Sequence, residues 1–458
     1  MRRRSLLTAA ATASLAGCAR DSGTTTLRFW AMGRESAVAA ELIAGFEREH
    51  PGVRVKVEQL PWTAAHEKLL TAFAGDATPD LAQVGNTWLP EMQALGALEP
   101  LEPWIASTPS LQAADYFDGI WATNAAGGQR VGLPWYVDTR LLFVRQDLLA
   151  RAGIPQIPQD WAAWRAALAR LREHGMATPM LLPTNEFEPL LALALQQPGE
   201  VLREGGRFGN FSSDDFRRAL GFYAERFQRG DAPGLTNNQV ANVWQEFGRG
   251  TFAFYISGPW NIGEFKRRLP AELSDAWTTA ELPGPVTGQG PGASIAGGAS
   301  LAMFKRSRHK PEAWALISYL SRPDVQLAFY RLTGDLPPRR STWSMPLPGS
   351  AGGATLAEDR HAAAFRRQLE HVRPTPAVPE WERVMQEMQL AAARVVGGRD
   401  SVDTAVRSLD ARVDGILEKR RWMLDKGKAA QAERRVAQSR PGIPSGDGSM
   451  YPWSEGQA

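Results

Sequence analysis

The sequence predicts an α/β protein built as two lobes. Three observations carry this. Short strand-like runs alternate with amphipathic helical runs between residues 26 and 84, a pattern that implies a parallel sheet covered on both faces. The same alternation returns after residue 141. Each apolar run is too short for one very large sheet, and 458 residues suffice for about two to four domains.

In chain order, Thr26-Leu27-Arg28-Phe29-Trp30 alternates as a strand. Ser36 to Glu49 carries Val38, Leu42, Ile43 and Phe46 at helical spacing, and His50-Pro51-Gly52 ends that helix. Val53, Val55 and Val57 form a second strand, His66 to Phe73 a helix, and Asp80 to Val84 a third strand. Leu141 to Val144 reopens the pattern. Asp160 is placed to cap a helix with Trp161, Trp164, Leu168 and Leu171 along one face. Phe252 to Ile256 is an apolar strand running into Ser257-Gly258-Pro259-Trp260. Leu301 to Phe304 precedes a helix with Trp314, Ile317 and Leu320. Val402, Val406, Leu409, Val413 and Ile416 mark a late helix. From Asp425 onward Lys, Arg, Gln, Gly and Pro dominate, so residues 425–458 are expected to be a disordered tail.

Composition excludes several classes. Hydrophobic residues make up 43% and charged residues 22%, an ordinary globular balance. Beyond the N-terminus no apolar run is long enough to span a bilayer. Lys and Arg number 52 against 49 Asp and Glu, and Arg2, Arg3 and Arg4 supply the whole excess of +3. The rest is near neutral, so no nucleic-acid partner is expected. Cys18 is the one cysteine, which rules out a disulfide within the chain. The six histidines lack metal-ligand spacing, and Gly288 to Gly292 lacks the Lys-Ser/Thr of a phosphate loop. No metal or cofactor is expected. Glu186 and Glu188 are the one carboxylate pair worth weighing for glycoside hydrolysis, although sequence spacing does not fix their separation in space.

Arg2-Arg3-Arg4, a short apolar stretch and Leu15-Ala16-Gly17-Cys18 describe an export signal over residues 1–17. Leu15-Ala16-Gly17-Cys18 resembles a bacterial lipobox, in which the signal is cut before the cysteine and the cysteine carries the lipid. Arg3-Arg4-Ser5-Leu6-Leu7 also resembles a twin-arginine signal. Residues 18–26 are small and polar and read as a tether.

Sixteen tryptophans are a high count. Aromatic faces bury large areas and stack on sugar rings. Trp30, Trp88, Trp135 and Trp260 are expected in loops after strands, where open α/β sheets bind ligands. Trp161, Trp164 and Trp314 are expected in the core.

Four stretches carry a family resemblance. Val131 to Asp138 leads into Leu141 to Val144, then Ala152-Gly153-Ile154-Pro155 and Asp160-Trp161. Gly250-Thr251-Phe252-Ala253-Phe254 leads to Gly258-Pro259-Trp260. Gly297 to Ala302 precedes Ser307 to Ala313, and Thr333-Gly334-Asp335-Leu336-Pro337-Pro338-Arg339 closes the set. In this order they resemble the bacterial ABC-transporter solute-binding proteins for carbohydrates, from about Leu27 to Leu424.

The resemblance implies the two-lobe, type II periplasmic-binding-protein fold, with ligand in a cleft between lobes joined by hinge crossings. The first lobe would hold residues 25–137 and 299–338, the second 138–298 and 339–424. Crossings would fall near Tyr136–Arg140, Gly297–Ala302 and Leu336–Arg340. The loop after the first strand offers Arg34 and Glu35 as sugar ligands, and the loop after the third offers Asn86, Thr87 and Trp88. Tyr136 and Asp138 fall at the first hinge, and Asn185 and Glu186 in a second-lobe loop. Trp260 matches the family's stacking residue, Gly298 a backbone contact and Arg339 a guanidinium contact. Trp381 and Trp244 are further aromatic candidates, with core packing as the alternative.

The implied protein is a monomeric, lipid-anchored receptor in the periplasm or on the outer face of the cell membrane. It would hand a sugar, a glucose disaccharide of maltose or trehalose type, to the membrane subunits of an ABC importer. Two alternatives stay open. One is a receptor for another solute, a polyol or a glycerol phosphate. The other is a secreted carbohydrate-active enzyme using Glu186.

Overall fold

The structure is a computed structural model that describes residues 24–236, 239–240, 242–347 and 353–426. The expected signal segment, Cys18 and the start of the expected tether lie outside the described residues, as does 427–458. Thr25 and Thr26, at the end of the expected tether, already belong to the first strand. Asp425 and Lys426, at the start of the expected tail, continue a helix, and Arg207 pairs with Asp425 at 2.7 Å.

The elements that position the site come in this order. Strand β1 is Thr25–Met32, helix α1 Gly33–Glu49, β2 Val53–Leu60, α2 Trp62–Ala74 and β3 Leu81–Gly85. Then come β4 Leu133–Asp138, β5 Leu141–Val144, α3 Trp161–Glu173, β6 Met180–Leu181 and α4 Glu188–Leu195. They are followed by α5 Asp214–Gln228, β7 Phe254–Ser257, α6 Trp260–Arg268, β8 Thr278–Ala280 and β9 Gly297–Met303. The chain closes with α7 Lys310–Leu320, α8 Pro323–Thr333, α9 Trp381–Val396 and α10 Val402–Ile416. Asp160 caps α3 by accepting from the Ala163 N–H at 2.8 Å, which satisfies one of the helix's free donors.

Two main sheets result. The first has the order β2-β1-β3-β9-β4, the second β8-β5-β7-β6. Both are mixed, which corrects the expectation of a purely parallel sheet. β1 runs parallel to β2 and β3, but β9 runs antiparallel to β3 and β4. β5 runs antiparallel to β7 and β8, while β7 and β6 are parallel. The reason is connectivity. β9 enters the first sheet only after the chain has built the second, so no helical crossover links it to its neighbours there. β5 follows β4 after a two-residue connection, Thr139-Arg140.

The inner strands β5 and β7 read as buried, mainly apolar runs because both faces of the sheet are covered there, whereas β2 at an edge alternates. Leu142, Val144, Phe254 and Ile256 pack with Trp161, Trp164, Val384 and Leu409 on one side of the second sheet. Leu141, Phe143 and Tyr255 pack with Phe265, Trp277 and Trp343 on the other. In the first sheet Phe29 and Leu133 face α1, Trp314 and Phe329, while Ala82 and Val84 face Leu69 and Phe304. Trp30 and Trp135 lie inside β1 and β4, buried, rather than in loops after strands. Among the described residues no helix is long and apolar enough to cross a membrane.

Candidate functional site

Between the sheets lies a cavity of about 540 Å³. Three segments run side by side along its floor. Asp138 pairs with Gly297, Val137 pairs with Gly298, and the Val137 N–H donates to the Leu336 carbonyl at 2.9 Å. This close approach requires glycine. A Cβ at Gly298, where φ is +141°, would sit 2.3 Å from the Tyr136 carbonyl oxygen, and one at Gly297 2.3 Å from that of Asp138.

The first-sheet side offers a polar chain. The Met32 N–H donates to Gln83 Oε1 at 2.7 Å, and Gln83 Nε2 donates to Tyr136 Oη at 3.1 Å. Tyr136 Oη in turn donates to Glu35 Oε1 at 2.8 Å. Burial raises Glu35 above the usual carboxylate range, and these donors oppose the shift. Burial and the nearby Glu35 charge hold the Tyr136 phenol protonated. With the Trp62 indole and a backbone N–H as further donors, the network fixes Glu35 at the cavity wall.

Across the floor, Arg140 is buried and held in a fork. One guanidinium nitrogen donates to Asp138 and another to Glu188 at 2.6 Å. Its carbon lies 4.8 Å from the centre of the Trp260 ring. Trp260 thus rests one face on a cation that two carboxylates neutralise. Trp88 and Trp62 add aromatic surface from the first lobe, edge to face with centroids 5.7 Å apart.

Two contacts between side chains and one from a side chain to a backbone carbonyl join the lobes beside the cavity. Arg34 Nη1 meets Glu264 Oε1 of α6 at 3.1 Å, and Arg34 Nη2 donates to the Leu332 carbonyl at 2.7 Å. The Thr87 hydroxyl donates to Glu382 Oε1 of α9 at 2.6 Å. Asn86 Nδ2 donates to the Ala296 carbonyl at 2.9 Å.

Of the expected ligands, Arg34, Glu35, Asn86, Thr87, Trp88, Tyr136, Asp138, Trp260 and Gly298 line this cavity. Asn185 and Glu186 do not; their neighbours Phe187 and Glu188 do. Arg339 is turned away from the cleft. Its guanidinium bonds to Asp115 Oδ2 at 2.6 Å and to the Ser321 and Ser110 carbonyls, which ties two first-lobe loops together. Trp381 is only 1% exposed and packs in the second-lobe core. Trp244 lies under Arg268, outside the lining. Sequence reasoning missed Trp62, Arg140, Glu264 and Asp335 and weighed Glu188 only for hydrolysis, and all five line the cavity. Among the described residues no group of three or more metal-ligating side chains comes together.

Two lobes, a floor of paired hinge strands and an aromatic-walled interlobe cavity define the solute-binding class of protein. Residues 33–327 match the family model of the bacterial extracellular solute-binding proteins, and the chain belongs to that family. The structure of the sugar-binding protein MalE from the phytopathogen Xanthomonas citri is 53% identical to this chain. It covers 88% of this chain and 99% of its own, with a TM-score of 0.82. A putative binding protein of Brucella abortus is 25% identical over 384 residues, 83% of this chain and 89% of its own. An uncharacterized lipoprotein of Streptomyces antibioticus is 28% identical over 395 residues, 80% of this chain and 83% of its own. Family and fold are those of binding proteins, so the chain is a receptor and not an enzyme.

Proposed function

We propose that this protein captures a glucose disaccharide, maltose or trehalose, in the interlobe cavity and delivers it to an ABC importer. One observation carries the reading: aromatic faces stand beside carboxylates while the cavity's cations are already committed. Arg140 is neutralised by Asp138 and Glu188, and Arg34 is engaged by Glu264 and a carbonyl. A phosphate ester needs uncommitted cationic donors. A neutral sugar needs apolar area plus acceptors and donors for many hydroxyls, which Trp260, Trp88, Trp62, Glu35, Asp138 and Asn86 offer. The cavity volume falls within the range for small-molecule sites. The similarity to a sugar-binding protein at 53% identity supports the same class of ligand.

Isothermal calorimetry with trehalose, maltose, mannitol and glycerol 3-phosphate tests this. Disaccharide binding, with the sugar recovered intact after long incubation, is the expected result. Selective binding of the phosphate ester would overturn it.

The same reading places the mature protein on a lipid at Cys18, handing sugar over at the membrane surface. The lone cysteine after Leu15-Ala16-Gly17 supports this, as does similarity to a lipoprotein. Cys18→Ser should leave the sugar affinity intact and move the protein to the soluble fraction. Unchanged membrane fractionation with no lipid label on the wild type would end the idea.

A further inference from the structure

The cavity holds a carboxyl that the sequence did not single out, with the Thr333 hydroxyl as its one side-chain hydrogen-bond neighbour. Asp335 is 7% exposed and lines the cavity just beyond α8. The groups around it are occupied. The Thr333 hydroxyl donates to the Phe329 carbonyl at 2.9 Å and accepts from the Asp335 N–H at 3.0 Å. Arg34 is spent on Glu264 and the Leu332 carbonyl. Tyr136 donates its proton to Glu35. The charged groups facing Asp335 are Glu35 and Arg34 from α1 and Asp138 from β4, so two of the three repel an ionised carboxylate.

An ionised carboxylate so placed would share its one hydroxyl neighbour with the Phe329 carbonyl, face two like charges and keep little solvent. Resting on the sugar-binding reading above, we infer that Asp335 is a specificity-determining residue. It enters the binding event as a carboxylic acid and donates its O–H to an acceptor oxygen of the ligand. Glu35, with Tyr136 as its donor, is the acceptor of the pair, so the two acidic groups present opposite hydrogen-bonding roles to neighbouring sugar hydroxyls. Burial first, and then the charges of Glu35 and Asp138, push Asp335 up to about 8. The protonated form therefore prevails at neutral pH.

Affinity should fall as that proton is lost. If only the acid form binds, the bound-competent fraction at pH 9.5 is about one in thirty, and the apparent Kd weakens about 30-fold from pH 7. Two measurements on the full chain decide the matter. The first is calorimetry with trehalose and maltose from pH 6 to 9.5 on wild type and Asp335→Asn. The wild type should show the 30-fold loss. Asp335→Asn, which still offers a donor but cannot titrate, should bind several-fold more weakly at pH 7 and stay flat above it. The second is the carbon-13 resonance of the Asp335 carboxyl in ligand-free protein, assigned with the same variant. Its titration midpoint should lie near 8. A midpoint below 6, or the same pH profile in both proteins, would overturn the inference. Failure of every disaccharide to bind would defeat the sugar reading instead, while the carboxyl resonance would still decide the protonation.

Discussion

Gly258→Ala should displace the Trp260 ring without removing any chemical group. A Cβ at position 258 would lie 1.9 Å from Trp260 Cζ3 and 2.4 Å from Cη2, so the ring cannot remain folded back over the turn. Gly258 is not among the glycines with positive φ, so alanine is not opposed by its backbone conformation. The displaced ring would lose two things. One is its seat over Arg140, a cation–π contact of about 0.5–2 kcal/mol. The other is its face towards the ligand, with aromatic stacking of about 0.5–1.5 kcal/mol beyond area burial. Taken at about 2 kcal/mol in binding, the change weakens Kd about 30-fold. Calorimetry with the best disaccharide should show that loss, and tryptophan emission should respond far less to ligand. Trp260→Ala should behave similarly. If Gly258→Ala kept the wild-type Kd and emission response, Trp260 would not be the stacking platform.

Two other predictions concern the charges of the cavity. Arg140→Met leaves Asp138 and Glu188 facing each other without their cation; breaking a buried pair costs about 3–5 kcal/mol, and the lower end fits partners that are a quarter or more exposed. Urea unfolding should show the loss, adding Glu188→Gln should recover part of it, and unchanged stability of the single variant would contradict the fork. For Asp335, whose acid form the fold favours, the stability from holding the proton is complete below about pH 4 and is lost as pH rises towards 8. Asp335→Asn should therefore gain in Tm over wild type progressively between pH 4 and 8, and a Tm difference independent of pH would count against the buried acid.

Much of the fold was legible because its signals are local. Asp160 stands immediately before an apolar stripe, and the alternation of Val53, Val55 and Val57 spans adjacent residues. Strand direction was not legible, because β9 is placed by the hinge and not by its own sequence. The cavity was legible where it follows strand ends, at Arg34, Glu35, Asn86, Thr87 and Trp88. Arg140 escaped because its burial is made by Glu188 and Trp260, far along the chain. In Thr333 to Arg339 the sequence does not say which charged residue faces the cleft. Arg339 is drawn inward by Asp115, and Asp335 faces the cavity instead. For Trp381 the sequence left core packing open beside ligand contact, and periodicity decides for the core. Val384, Met385 and Met388 follow it three, four and seven residues on and are all buried, so Trp381 sits on the core stripe of α9. Glu382, one step round the helix, is the residue that reaches Thr87.

The contacts that join the lobes have a consequence for how such a receptor works. Arg34 and Glu264 are 45% and 24% exposed, a geometry in which an ion pair contributes about 0–1 kcal/mol. Thr87 and Glu382 share a single hydrogen bond, and burial of Glu382 raises its carboxyl towards the neutral form, which weakens the charge assistance that bond receives. Neither contact holds the lobes together strongly. The strong interactions lie elsewhere: Arg140 is forked by Asp138 and Glu188 at the floor, and Gly297 and Gly298 let β4 and β9 pair closely. A floor held by these interactions beneath weakly latched walls leaves a solute between the walls free to add to what holds them together. A ligand can shift that equilibrium only by its differential affinity for the two arrangements. Residues that reach the cavity from opposite lobes, Glu35 and Trp88 on one side and Trp260 and Glu188 on the other, are the ones able to supply that difference.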